Sequence, residues 1–414
     1  MRPASNSVAV IGAGIVGLCV AHALREAEYD VTVIDPEPPG SQCSSGNAGA
    51  LSGGSVAPLA MPGIWSQAFS MLLDSSSPLH IPVNYWLPAL PWLRRFTASA
   101  KPERVAQIAQ ALKFLHTDAV ALHRKMAAQV GCPELVRDTG QLHVYPDDAS
   151  LAQDAGSWEL KRAHGQVSEL VNEQAIRALE PALSGRYKTG MFLPEDTWVA
   201  GPLRYAQSIA SSLQRMGVTF VTRKISDLAR DGAQWTFRSG DWSGCSEHVV
   251  LSAGIGSREL LRTLNRDVPL ESQRGYHVQL PNPGIELSRV VVLADKKVFL
   301  NPLEGSLRVA GTVEFGRAGT AMNERRALLL KDHAEQGLNG LNTQGLELWM
   351  GERPCLPDSL PVLGPVPDAP GLWCAFGHGH LGLTGSVNTG KLLARAIGGR
   401  GDAGELTAFS LDRF

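Results

Sequence analysis

The stretch VAVIGAGIVGLCVAHALREAEYDVTVIDP, residues 8 to 36, constrains this chain more than any other. Apolar residues at 8 to 11, helix formers from Ile15 to Ala27, and Val31, Val33 and Ile34 ending at Asp35 read as strand, turn, helix, strand. Gly12, Gly14 and Gly17 punctuate the turn. The first permits a tight bend, the second lets backbone approach a diphosphate, and the third lets helix and strand pack. Free N–H groups and the positive dipole end at the helix start suit that diphosphate. Asp35 stands where an acid reaches the ribose of an adenosine. A dinucleotide site is the reading; a purely structural turn is the alternative.

FAD and NAD share this pattern, and the rest of the chain separates them. Residues 40 to 54 are almost all Gly, Ser, Asn and Ala, and glycine turns return at 254 to 256 and 377 to 385. Such segments let backbone approach a ligand closely. An extended cofactor crossing several loops fits this better than a nicotinamide held by one continuous block. The last loop opens a helix, whose N–H groups suit negative charge on a reduced flavin.

A length of 414 residues implies two domains, or one interrupted by another. With 44% hydrophobic and 19% charged residues and a net charge of -2, the composition is that of a globular protein with no nucleic-acid or other polyanion partner. Cys19, Cys43, Cys132, Cys245, Cys355 and Cys374 form no Cys-x-x-Cys pair, so neither a metal site nor a disulfide framework is expected, and a reducing, cytoplasmic setting fits. The apolar start is folded structure rather than a signal peptide. Prolines 62, 78, 82, 88 and 91 break the region from 59 to 93, which never reaches the roughly 20 apolar residues of a membrane span.

Residues 59 to 96 carry Trp65, Phe69, Tyr85, Trp86, Trp92 and Phe96 among those prolines and read as an irregular lid or surface segment, packed on its own domain or facing a membrane or partner. Apolar spacing predicts one long helix over 104 to 130 and others over 173 to 183, 202 to 217 and 321 to 339. Strand patterns fall at 140 to 146, 218 to 251 and 276 to 316.

The opening motif with Asp35, SSGNAG at 44 to 49, VVLSAGIGS at 249 to 257, RGYHV at 274 to 278, GERPCLPDSLPVLG at 351 to 364 and GHGHLGLTG at 377 to 385 together resemble the D-amino-acid oxidase family of FAD-dependent oxidoreductases. Within it the likeness is to the bacterial D-amino-acid dehydrogenase branch, which includes D-hydroxyproline dehydrogenases. The motifs run in order along nearly the whole chain, although 59 to 135 carries none.

The resemblance implies an α/β protein, α+β overall, with a Rossmann-like FAD-binding domain (1–58, 190–268 and 350–414) and an inserted antiparallel-sheet substrate domain (59–189 and 269–349). It implies non-covalent FAD, with Gly12, Gly14 and Gly17 at the diphosphate and Asp35, where the family often has Glu, at the ribose. Ser44, Ser45, Asn47, Ala48 and Gly49 would run beside the flavin, Ile225 would meet adenine, and Ala253 and Gly254 would form a second cofactor turn. Gly377, Gly379, Gly382, Leu383 and Thr384 would face the pyrimidine edge. A flavin bond to Cys355 is disfavoured, a small buried thiol being the commoner case.

Arg353 matches the family's carboxylate-binding arginine. A planar, permanently charged fork grips a carboxylate through two parallel hydrogen bonds and so fixes its orientation; a structural ion pair is the alternative. Tyr276 is expected as a second carboxylate donor or lid residue, or else as a packed strand tyrosine. Arg274 faces the substrate or the surface, and Asn47 helps to place Cα. His378 and His380 line the pocket or pack the loop, because hydride loss from a neutral amine needs no obligatory protein base.

The expected activity is oxidation of a D-amino acid, cyclic ones such as D-proline or D-hydroxyproline included, by hydride transfer to flavin N5. The dehydrogenase resemblance implies that electrons pass to a quinone or another carrier, with peripheral contact at the inner membrane through 59 to 96 and Arg94, Arg95, Lys101 and Arg104. The alternatives are an oxygen-dependent oxidase of glycine, sarcosine or another secondary amine, a flavin subunit of a heteromeric amine dehydrogenase, and, least of all, a dinucleotide sensor.

Overall fold

The computed structural model describes residues 6–63, 79–402 and 404–414; Trp65, Phe69 and Pro78 of the aromatic segment lie outside the described residues. Strands Ser7–Ile11 and Asp30–Asp35 flank helix Ile15–Glu26, and the two strands pair in parallel with Ile11 beside Ile34. Around them forms a six-stranded sheet in the order 219–222, 30–35, 7–11, 248–251, 372–376, 362–365, parallel except for its last pair. Both faces are buried: Val8 and Val10 enter one apolar cluster, Ala9 and Ile11 the other.

A second, nine-stranded and mostly antiparallel sheet runs in the order 347–355, 271–280, 306–315, 298–303, 290–293, 141–145, 189–193, 169–172, with Leu79–His80 lying along 306–315. The domain boundaries expected at 190 and 350 therefore fall inside strands Thr189–Leu193 and Glu347–Cys355.

Because side chains alternate across a strand, this sheet has two unlike faces. Leu142, Val144, Val278, Leu280, Val291, Leu293, Val298, Leu300 and Val309 pack on Ala327, Leu330 and Ala334 of helix Glu324–Gly337. The other face carries polar and aromatic groups. One row of cross-strand partners runs His143, Val292, Phe299, Ala310, His277, Trp349, and its neighbour includes Asn301, Arg308 and Gln279.

Two expectations about helices need correction. The region 104 to 130 forms two helices, Pro102–Leu115 and Ala119–Val130, because Asp118 adopts the left-handed conformation (φ 54°) and His116 turns its ring to the Ser55 carbonyl. The expected irregular segment contains helix Trp86–Ala98, which buries Ala89 and Trp92; Trp92 packs on Ile81 and Phe315. Pro88 falls in its first turn, where no intrahelical N–H bond is owed.

Candidate active site and cofactor cradle

The glycine turn is built as its sequence requires. Gly12 has φ 117°, and a Cβ there would lie 2.2 Å from the Ser252 carbonyl oxygen; at Gly17 it would lie 2.0 Å from Gly12 O. Helix Ile15–Glu26 starts at Gly14 with no side-chain cap from that residue, and the Ile15 N–H donates to Ser44 Oγ at 2.9 Å. The second glycine turn lies alongside: Ser252 N–H bonds Ile11 O, and Gly254 has φ 56° with open space where a Cβ would stand. The hydroxyls of Ser252 and Ser257 are buried without a hydrogen-bond partner among the described residues. Unmade hydrogen bonds on buried polar groups are costly, and a diphosphate would supply the missing acceptors, so the cradle fits FAD.

Asp35 is turned inward. Its carboxylate accepts from Ala13 N–H at 2.7 Å and Glu37 N–H at 2.9 Å, while burial raises its pKa. A ribose would share oxygens already engaged once. Ile225 lies beyond strand Thr219–Thr222 rather than in it, and its side chain packs with Ile11 and Ile34. The neighbouring Arg223 N–H bonds the Asp35 carbonyl, which keeps this connection at the strand end where adenine is expected.

The Ser44–Gly49 loop meets the polar face of the large sheet. Asn47 Oδ1 accepts from Gly49 N–H at 2.7 Å, and a Cβ on Gly49, at φ 77°, would collide with Val199 O at 2.4 Å. Ala48 adjoins it, half-buried. Arg308 donates to Ser45 O and Asn47 O. Gly46 lies against the Trp349 indole, which stacks on His277 with centroids 4.7 Å apart.

Arg353 projects from strand Glu347–Cys355 on this same face. Its guanidinium lies over Gly275, where a Cβ would approach Cζ to 2.1 Å. It makes no hydrogen bond or ion pair among the described residues, and burial pulls its pKa down. Two thiols flank it: burial pushes Cys43 up to about 11 and Cys355 up to about 12, so both stay protonated at neutral pH.

At the flavin-side loop, Gly377 has φ 85° and Gly379 φ 57°, and helix Gly382–Ile397 follows with Leu383 and Thr384 buried in its first turn. His123, held neutral by burial at about 4, bonds the Leu383 carbonyl at 2.8 Å. His378 is buried with Nε2 2.9 Å from Thr389 Oγ1, and its backbone bridges to Cys355. That position anchors the loop to the Arg353 strand while leaving His378 in the wall of a small cleft. His380 differs: it keeps accessible surface, yet burial and the nearby charges of Arg353 and Lys161 push its pKa down to about 4. A small cleft of about 10 Å³ opens there, lined by Leu59, Cys355, Leu356, Ser359 and the 377–380 loop.

Two expected site residues are not brought to Arg353. Tyr276 and Arg274 occupy the opposite parity of strand Glu271–Leu280 and so project from the other face of the sheet. Tyr276 is buried in the leucine-rich core and donates its hydroxyl to Glu314; Arg274 donates to Ala321 O at 3.1 Å beneath the 316–323 connection. Residues on the Arg353 face were missed instead: His277, Trp349, Asn301 and Arg308. The alternation Trp349-x-Gly351-x-Arg353 was the available signal.

A profile of the FAD dependent oxidoreductase family (DAO) matches residues 7–396. The chain belongs to this family. It is 37% identical over 421 residues, all of both chains, to a protein named D-amino-acid oxidase from Bradyrhizobium diazoefficiens. It is 31% identical to a D-amino acid dehydrogenase from Paramagnetospirillum magneticum, with 98% of each chain covered. Glycine oxidase from Geobacillus kaustophilus shares the fold, with a TM-score of 0.76 at 20% identity over 98% of each chain. This member of the DAO family is therefore an FAD-dependent oxidoreductase. Among the described residues no group of metal-ligating side chains is found, and no helix is long and apolar enough to cross a membrane.

Proposed function

We propose that this enzyme oxidises a D-amino acid, the cyclic D-proline and D-hydroxyproline included, to the corresponding imino acid. The observation that carries the reading is the Arg353 guanidinium, half-buried and desolvated, seated over Gly275 and with no anion beside it among the described residues. A cation so desolvated is stabilised by a carboxylate that arrives with the substrate, and two parallel hydrogen bonds orient Cα. Gly12, Gly14, Ser44 and the 253–254 turn would hold FAD at the diphosphate and the 44–49 and 377–384 loops its ring. When bound, FAD supplies the two-electron acceptor. Trp349 and His277 wall the substrate side, and His380, neutral near pH 7 at about 4, adds no competing charge. The amine must enter neutral, and orientation carries much of the rate.

Anaerobic bleaching of the flavin by a panel of D- and L-amino acids tests this directly. Bleaching by D-isomers, and by D-proline over L-proline, is expected; bleaching by L-isomers alone would sink the reading.

For the acceptor we favour a quinone or another carrier at a membrane surface. Val83 and Leu87 are 89% and 83% exposed, Trp86 and Leu90 flank them, and Arg94, Arg95, Lys101 and Arg104 are exposed beside them. Apolar side chains rimmed by basic ones suit an anionic bilayer. The 37% identical relative, named an oxidase, favours oxygen instead. Stopped-flow reoxidation by air against a quinone analogue separates the two, and flotation with anionic vesicles tests the surface.

A further inference from the structure

Arg308 stands on strand Ser306–Phe315, on the polar face, with Asn301 and Gln279 as its cross-strand partners. Its Nη1 donates to Ser45 O at 2.6 Å and to Asn47 O at 2.7 Å, and its Nε to Gln279 Oε1 at 3.0 Å. Every one of these acceptors is neutral. No carboxylate forms an ion pair with it among the described residues, and burial alone pushes its pKa down to about 10. The residue between its two carbonyl partners, Gly46, is held by the same face. A Cβ there would meet the Trp349 ring at 2.0 Å, and that ring stacks on His277 with centroids 4.7 Å apart. Three consecutive loop residues thus rest on one guanidinium and two stacked rings.

Desolvating a cation costs free energy that neutral acceptors return only in part. A guanidinium kept under that cost, aimed at the carbonyls of Ser45 and Asn47 in a cofactor loop, does more than a neutral donor would. Its Nη1 alone spans the two carbonyls and fixes their spacing, and its charge is left to act on whatever lies across the loop.

We propose that Arg308 is a positioning residue: it sets the Ser44–Gly49 loop against the flavin and lends that side of the site a positive charge that no side chain among the described residues neutralises. The inference rests on the reading that this loop runs beside the ring. It predicts a site that favours anions at the oxidised flavin, whatever the substrate.

The test uses holoenzyme with sulfite as the anionic probe, followed by bleaching of the visible flavin band, in wild type, Arg308→Gln and Arg308→Lys. Arg308→Gln is expected to bind sulfite about tenfold more weakly or worse, the usual scale for losing a charged hydrogen-bonding group. It should lose FAD faster on gel filtration and lower kcat with little change in KM, because the substrate carboxylate stays with Arg353. Arg308→Lys, which keeps the charge, should recover most of the sulfite affinity and stands in should the Gln variant fail to fold. Unchanged sulfite affinity in Arg308→Gln, or an Arg308→Lys protein as weak as Arg308→Gln, overturns the proposal. A wild type that binds sulfite but is bleached by no D-amino acid defeats the substrate reading and leaves this one standing.

Discussion

Arg353 is a permanent, half-buried and desolvated cation with no anion beside it among the described residues, so its energy falls when a ligand brings one. Arg353→Leu should therefore lower kcat/KM by roughly 100-fold or more, the usual scale for removing one partner of a buried charge pair, with the flavin spectrum retained. Arg353→Lys should recover part of the binding but not the bidentate orientation, so KM recovers more than kcat. Steady-state kinetics with a dye acceptor checks both. Asp196 makes a separate prediction. It is buried, Gln166 donates to one oxygen at 3.3 Å, the other has no hydrogen-bond partner among the described residues, and burial raises its pKa to about 6. A carboxyl raised in the folded state binds its proton more tightly there than when unfolded. Stability is therefore lost as pH rises from about 4 through 6, and the cost is full above 6. Asp196→Asn should raise stability at pH 8 by up to about 3 kcal/mol and do little at pH 4. Thermal melts at the two pH values decide it.

At the scale of the element, strand pairing determines which side chains share the site. Gly275 and Gly351 stand opposite each other on neighbouring strands, and each leaves room for a bulky neighbour, Arg353 over the first and Trp349 over the second. Neither position has a positive φ; both glycines are there for space. Gly275→Ala should displace the guanidinium and raise KM for the amino acid at least tenfold, a shift of about 1.4 kcal/mol, while FAD binding holds. Titration of the apoprotein with FAD beside substrate kinetics separates the two effects. The same alternation explains the misplacement of Tyr276 and Arg274. They neighbour Gly275 in the chain, but one step along a strand carries a side chain to the opposite face.

Across the whole molecule, the last residues hold the strand that carries Arg353. Arg413 grips Asp358 with both carboxylate oxygens, Nε to Oδ2 at 2.7 Å, and also donates to the carbonyls of Leu360, Phe409 and Ser410. The pair is almost fully buried, with 10% and 4% of its side chains exposed. Arg413→Ala leaves the Asp358 carboxylate buried and unpaired and should cost about 3–5 kcal/mol. A double variant with Asp358→Asn should lose less than the two singles added together, measurable by denaturant titration. The P-D-x-x-P stretch after Arg353 is thus stiffened by its prolines and also clamped from the far end of the chain. Sequence spacing displayed the stretch, but nothing near it announced Arg413.

Local rules made part of this protein legible. The positive φ at Gly12, the uncapped start of the following helix and the Asp35 strand end depend on neighbours within about a turn or a strand, so the cofactor cradle could be read from residues 8 to 36. Arg353 could be read because a charged fork before a stiffened turn is itself a local pattern. Strand order and register are set by burial between segments hundreds of residues apart. Only the folded chain decided that Arg308, His277 and Trp349 would meet the 44–49 loop, that Tyr276 would turn away to Glu314, and that the site would sit between a sheet's polar face and the glycine turns.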